Sequence, residues 1–241
     1  MGEPAAHRVA WITGGSSGIG LAIARELADA GYHVELSARH AAKLRTACDE
    51  LERAGEHAGY VVADVTQRDA MNTACRTILE RHGRIDVLVA NAGFNVRART
   101  WDDLVPEEFD AVLAANLTGA FNAMHAVLPA MRAAGSGMIV NVASVAGKQT
   151  SLSGGVAYSA AKHGVFVLTE TLNQSEARRG IRACVVAPGG VDTPAHAWRP
   201  QPVRATMLKA EQVARAVRYA VEQPPGTLVT EIDICSARHW G

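Results

Sequence analysis

Tyr158 and Lys162, in Val156-Ala157-Tyr158-Ser159-Ala160-Ala161-Lys162, are spaced to put a phenol and an ammonium on one face of a helix. A free phenol, with a pKa near 10, is a poor proton shuttle at neutral pH. A neighbouring ammonium favours the phenolate, so the pair predicts a hydroxyl that gives a proton to a developing alkoxide or takes one from an alcohol. Taken alone, such a pair is usually an accident of a helix face. Ser144, one loop upstream, adds a hydroxyl able to stabilise charge on a substrate oxygen. Asn116, in Ala115-Asn116-Leu117-Thr118, is an amide that needs a partner if buried, either backbone or an ordered water. It could hold a water that links Lys162 to solvent.

A second constellation lies near the start of the chain. Thr13-Gly14-Gly15-Ser16-Ser17-Gly18-Ile19-Gly20 follows an apolar strand and opens a helix. Glycines let a pyrophosphate approach the backbone, and the free N–H groups at the helix start attract it. The spacing Gly14, Gly18, Gly20 departs from GxGxxG, and a tight strand-to-helix turn without a ligand is the competing reading. About 20 residues on, an acidic side chain would accept hydrogen bonds from a ribose diol, whereas Arg would suit a 2′-phosphate. That position holds Ala38, with Arg39 beside it. A guanidinium pairs with phosphate by charge-assisted bonds, which favours NADP(H) over NAD(H) unless Arg39 is only a solvated loop residue. Asp64-Val65 and Asn91-Ala92-Gly93 end the third and fourth strand patterns, at the sheet edge where ligands bind in open α/β folds. For Asp64, a cap on the following helix is as good a reading as an adenine contact.

These residues need a scaffold, and the pattern supplies one. Apolar strand-like runs fall at 9–13, 34–37, 60–63, 87–90, 138–143, 183–187 and 228–234, with helical periodicity between them, as at 19–29 and 41–53. Consecutive apolar residues suit strands covered on both faces. Repeated βα units predict a doubly wound, Rossmann-type parallel sheet with helices on both sides. No linker divides the 241 residues, so one domain spanning 1–241 is expected. Gly31 and Gly83 read as helix-ending residues.

Lys plus Arg equals Asp plus Glu at 24 each, which gives no reason to expect a nucleic-acid or anionic-membrane partner. The first eight residues are polar and run into a strand. Charge or Gly breaks every longer apolar stretch before the roughly 18 residues of a membrane span. A soluble, cytoplasmic protein is expected. Cys48, Cys75, Cys184 and Cys235 are scattered thiols with no CxxC, and no His pair has HExxH spacing, so no metal is expected.

In this order, Thr13–Gly20, Asn91-Ala92-Gly93, Asn116, Ser144, Tyr158-xxx-Lys162 and Pro188-Gly189 resemble the successive signature motifs of the short-chain dehydrogenase/reductases, across essentially the whole chain. The resemblance implies hydride transfer between NADP(H) and a ketone or secondary alcohol. In it Tyr158 is the acid/base, Lys162 lowers its pKa and holds the nicotinamide ribose, Ser144 polarises the carbonyl and Asn116 supports the proton relay. Gly14, Ser16, Ser17, Gly18, Ile19 and Gly20 surround the pyrophosphate. Asp64 and Val65 lie toward the adenine, and Asn91, Ala92 and Gly93 toward its ribose. Val191 and Thr193, after Pro188-Gly189, contact the carboxamide. A sheet of about seven strands and a homotetramer or homodimer are also implied. Ala90 stands where the family often has Asn, and Gln174-Ser175-Glu176 replaces a frequent Arg-containing pattern, which bears on the oligomer interface more than on chemistry.

Residues 191–207 look like the family's substrate lid, with His196, Trp198, Arg199 and Arg204 as candidates to meet a substrate, or simply a solvated loop. Phe94, Arg97 and Arg99 pose the same question from the opposite side, and the arginines make an anionic substrate conceivable. The competing functions are a non-catalytic NADP(H)-binding regulatory protein and another enzyme on the same scaffold, such as an epimerase or dehalogenase.

Overall fold

A computed structural model of the chain describes residues 7–149 and 153–239. Residues 1–6, most of the polar start, lie outside the described residues. In chain order the main elements are β1 (Val9–Thr13), α1 (Gly18–Asp29), β2 (His33–Ala38), α2 (Ala41–Arg53), β3 (Ala58–Val62), α3 (Arg68–His82) and β4 (Val87–Ala90). There follow α4 (Pro106–Leu113), a π-helical turn (Ala114–Thr118), α5 (Gly119–Ala134), β5 (Gly137–Val142), α6 (Val156–Glu176) and β6 (Ile181–Pro188). The chain closes with β7 (Val191–Asp192), α7 (Gln201–Arg204), β8 (Leu208–Lys209), α8 (Ala210–Val221) and β9 (Glu231–Ile234).

Seven strands form one sheet in the order β3-β2-β1-β4-β5-β6-β9, parallel at every pairing. The doubly wound fold expected from the βα alternation is therefore present. Every residue of β1, β4 and β5 is buried, because helices cover both faces. One face packs α1, α2 and α8 through Ile23, Leu27, Leu44, Leu51, Val213 and Val217. The other packs α3, α5 and α6 through Met71, Ile78, Val127, Met131 and Leu172. β9 is shorter than the 228–234 run, since it pairs only with Val185–Pro188 at an edge where Leu228 is exposed. Its outward carboxylates, Glu231 and Asp233, are both held by Lys148, at 2.6 and 2.8 Å. Charge on an edge strand discourages pairing with another chain.

The expectation that glycine interrupts every long apolar stretch fails at Gly119. The helical segment Pro106–Ala134 continues through it and is long and apolar enough, by length and composition, to cross a membrane. Half of its apolar window is buried inside the fold, where α5 packs on α3 and β4. Gly119 lets the helix approach the segment ahead of α3, since a Cβ there would come within 2.6 Å of Val65 Cγ2.

The sheet also gathers groups that no sequence spacing linked. Glu35 of β2 is buried, and its carboxylate accepts from Arg81 at 3.0 Å and meets His82 Nε2 at 2.8 Å. With His33, this carboxylate and His82 bring three potential metal-ligand atoms within 4.8 Å of one another. Arg81 offsets the buried charge, as such a carboxylate requires. Glu176, of the unusual Gln174-Ser175-Glu176 segment, is likewise buried and accepts two bonds from Arg132, at 2.6 and 3.0 Å. All four cysteines are free thiols.

Candidate active site

The sheet order reverses direction between β1 and β4, and crevices at such switch points hold ligands in open α/β folds. The glycine turn leaves β1 there. Gly14 and Gly18 adopt positive φ, +67° and +55°, which L side chains rarely do. Ser17 is the N-cap of α1, yet its side chain makes no capping bond, and the first turn carries no acidic residue. The first-turn N–H groups of α1 are thus left to an external acceptor. Ser16 and Ile19 are half-buried beside them.

Thr13, which the sequence reading did not single out, ties this turn to β4. Its hydroxyl accepts from the N–H groups of Asn91 and Ala92, each at 3.1 Å. The Asn91 amide donates in return to the Thr13 and Gly14 carbonyls, at 3.0 and 3.3 Å. Asn91 therefore braces the glycine turn. Asp64 Oδ1 accepts from Thr66 N and Oγ1, both at 2.9 Å, which closes a turn ahead of α3. This is close to the capping alternative, although Gln67, not Asp64, is the N-cap of α3. The adjacent Val65 carbonyl accepts from Asn122 at 2.9 Å. Arg39 is exposed just beyond β2.

Ser144, Tyr158, Lys162 and Asn116 converge at the same edge. Ser144 caps a 3-10 turn, where its Oγ accepts from Ala146 N at 3.2 Å and lies 3.3 Å from the Pro188 carbonyl. It also lies close enough to the Tyr158 hydroxyl to favour the phenolate. Gly147 lets that turn lie against α6, for a Cβ there would come within 2.7 Å of the Lys162 backbone. A glycine three residues after Ser144 was the available signal for this contact. Lys162 is buried, its ammonium donating to the Val142 carbonyl at 2.8 Å and sitting 5.5 Å from the Tyr158 ring centroid.

Asn116 occupies the π turn, a rare helical geometry that recurs at functional sites. Its Nδ2 donates to the Phe94 and Val112 carbonyls, at 2.7 and 2.9 Å. Its Oδ1 is buried with no partner. Gly93 lies between Asn116 and Lys162, and a Cβ on it would strike Asn116 Oδ1 and come within 3.7 Å of Lys162 Nζ. The amide, the glycine and the ammonium thus lie side by side.

The electrostatics differ from expectation in one respect. Burial raises the Tyr158 pKa above its ordinary value, and the Ser144 hydrogen bond and the Arg99 charge oppose this. Burial also lowers Lys162 to about 8. The ammonium therefore does not produce the lowered phenol pKa that the spacing suggested, because desolvation acts against both charged forms.

After β6, Gly189 N donates to the Ile234 carbonyl at 2.8 Å and Val191 is buried. Thr193 abuts the glycine turn, with Thr193 Cβ 3.4 Å from where a Gly18 Cβ would stand. The 191–207 segment is more ordered than a loop: β7 pairs with β8, and a 3-10 turn (Pro194–His196) and α7 lie between them. Of its candidates, Arg204 bonds Asp192 at 2.7 Å, whereas His196 and Trp198 meet the 97–99 segment, His196 feeling the Arg99 charge and Trp198 lying under Arg97.

A short chain dehydrogenase family profile matches residues 8–203. The chain is 40% identical over 222 residues to cis-4-hydroxycyclohexanecarboxylate dehydrogenase of Sinomonas cyclohexanicum, covering 90% of this chain and 87% of that protein. Among solved structures, an alcohol dehydrogenase of the archaeon Thermococcus sibiricus, complexed with 5-hydroxy-NADP, superposes with a TM-score of 0.88 at 31% identity, covering 98% and 99% of the two chains. A metagenomic short-chain oxidoreductase in complex with NADP gives 0.84 at 33% identity, covering 95% and 97%. Motif order, sheet topology and these similarities agree, and the chain belongs to the short-chain dehydrogenase/reductase family of oxidoreductases.

Proposed function

We propose that this protein interconverts a ketone and a secondary alcohol with NADP(H), using Tyr158 as the acid/base. One observation carries the reading: Tyr158, a buried Lys162 5.5 Å from its ring centroid, and Ser144 gather at the sheet edge that also bears the glycine turn. The relative named for a cyclic secondary alcohol supports the substrate class. Purified protein should oxidise NADPH on addition of ketones, and a complete lack of turnover across a broad ketone panel would remove the proposal.

The residues present fit a dinucleotide. The uncapped start of α1 would take the pyrophosphate, Thr193 and Val191 would border the nicotinamide, and Lys162 would reach its ribose. When bound, the nicotinamide supplies or accepts the hydride. Ser144 and Tyr158 direct their hydroxyls at the substrate oxygen, which polarises the carbonyl. As negative charge develops there, Tyr158 passes its proton to that oxygen, and the raised pKa keeps the phenol protonated for this at neutral pH. Lys162 then stabilises the phenolate left behind. Asn116, through its unpartnered Oδ1, holds a water by which Lys162 exchanges protons with solvent.

The Lys162 value sets a pH dependence. A base lowered to about 8 is charged below that pH and neutral above it. The charge that favours proton release from Tyr158 is therefore present at neutral pH and lost as pH rises through the Lys162 pKa. For ketone reduction, kcat/KM, which reports the free enzyme, should fall with an apparent pKa near 8. A profile that stays flat over about pH 7–9 would contradict this assignment.

NADP(H) is preferred on the strength of Arg39, exposed at the end of β2 beside Ala38 where an acidic residue would suit NAD(H). Two structural neighbours carrying NADP or its 5-hydroxy form support the choice. Arg39→Ala should cut the NADPH-over-NADH preference in kcat/KM by about 10- to 100-fold, as expected for a lost charge-assisted contact to phosphate. An unchanged ratio would assign the preference elsewhere. The exposed apolar groove of Leu117, Phe121, Val167 and Leu168 supports a homo-oligomer.

A further inference from the structure

Two arginines, one beside Tyr158, come close enough for their charges to act on each other. Arg99 is fixed by its backbone: its N–H donates to Asp103 at 3.0 Å, and its carbonyl accepts from Val156 N at 3.2 Å, at the first turn of α6. Gly155 lets the Arg99 stem pass close to that turn, since a Cβ there would come within 2.8 Å of Arg99 Cδ. Arg199 arrives from the other side, in the 191–207 segment, stacked on Trp198 with its guanidinium 4.8 Å from the ring centroid. Arg97 covers the same ring at 5.5 Å.

Nη1 of Arg99 and Nε of Arg199 are buried without a hydrogen-bond partner. Among the described residues no carboxylate forms an ion pair with either arginine. Asp103 is spent on the backbone N–H groups of Arg99 and Thr100 and the Thr100 hydroxyl, and Asp192 on Arg204 and Lys209. The two cations also feel each other: burial lowers the Arg99 pKa, and the Arg199 charge lowers it further while Tyr158 opposes the shift. His196, beside them, is pushed toward its neutral form, first by burial and then by both arginines, against its Val191 backbone bond. Buried donors on like charges are costly to leave unpaired, and a shared oxyanion satisfies both at once.

We propose that Arg99 and Arg199 form a carboxylate-binding subsite, so that the substrate is a keto acid or hydroxy acid whose carboxylate lies between the two guanidiniums while its carbonyl or carbinol oxygen faces Ser144 and Tyr158. The proposal rests on the hydride-transfer reading for the second half of that statement only. The planar fork of each guanidinium favours a planar carboxylate, and Trp198 holds the Arg199 fork in place. Arg99 follows β4 and acts on Tyr158, whereas Arg39 follows β2, with β1 between the two strands, so the subsite is distinct from the proposed 2′-phosphate contact.

The decisive experiment titrates the NADP⁺-loaded protein calorimetrically with cyclohexanecarboxylate and with its methyl ester, in wild type, Arg199→Ala, Arg199→Lys and Tyr158→Phe. Wild type and Tyr158→Phe should bind the carboxylate in preference to the ester. Arg199→Ala should weaken carboxylate binding about 10- to 100-fold, and Arg199→Lys should recover part of the loss. Equal binding of acid and ester by wild type, or undiminished carboxylate binding by Arg199→Ala, overturns the subsite. A second arm measures NADPH-dependent reduction of 4-oxocyclohexanecarboxylate and its methyl ester, and the acid-to-ester ratio of kcat/KM should collapse in Arg199→Ala. Carboxylate binding that depends on Arg199, in a protein that reduces no ketone, would sustain the subsite and overturn only the hydride-transfer reading.

Discussion

Replacing Tyr158 by Phe is expected to lower kcat for ketone reduction by about 10²- to 10⁴-fold, the range spanned by a single positioned proton donor. At 1.36 kcal/mol per decade this is roughly 3–5 kcal/mol of transition-state stabilisation. The substitution removes one oxygen and leaves the ring, so the contact with Lys162 and the first turn of α6 should persist. NADPH affinity, read by fluorescence titration, should therefore change little. Retained turnover would show that the proton comes from elsewhere, with Ser144 the next hydroxyl to test. A parallel loss of NADPH binding would instead mean that the phenol organises the cofactor site.

A loss of comparable size is expected at the opposite end of the site. Gly20 is buried in the first turn of α1, where a Cβ would strike the Gly14 carbonyl oxygen and come within 2.6 Å of Asn91 Nδ2. Neither atom can yield cheaply, since one is backbone and the other is tied to the Thr13 and Gly14 carbonyls. Gly20→Ala must therefore displace the α1 N-terminus from the glycine turn. A misplacement on the scale of an ångström costs about 10²-fold in a preorganised site, and the NADPH dissociation constant should rise by about that factor. Circular dichroism should show the helices retained, because the rest of α1 packs through Ile23 and Leu27. Unaltered NADPH affinity in a folded Gly20→Ala protein would mean that this helix start is not where the pyrophosphate sits.

Much of this architecture was legible along the chain because local periodicity encodes it. The apolar run at 9–13, the glycine turn and the helix at 41–53 coincide with β1, the entry to α1 and α2. Gly31 and Gly83 adopt the positive φ, +83° and +71°, that their positions after helices suggested. The shared face of Tyr158 and Lys162 follows from helical geometry alone. The shortened β9 escaped because its pairing with β6, remote in sequence, decided its length, and the ordered pieces of 191–207 escaped because they depend on β7 and β8 closing the segment on itself.

What the sequence determined by itself was the fold class and the identity of the hydroxyls, amide and ammonium available for chemistry. Repeating patterns and residue types are local properties and survive without coordinates. The tertiary structure alone decided the electrostatics and the couplings: that burial raises Tyr158 and lowers Lys162, that Asn91 and Thr13 brace the glycine turn, that a π turn presents Asn116, and that the Arg199 charge acts on Arg99. Burial and charge proximity arise only when segments remote in sequence are packed together, and no spacing rule along one strand of text contains them.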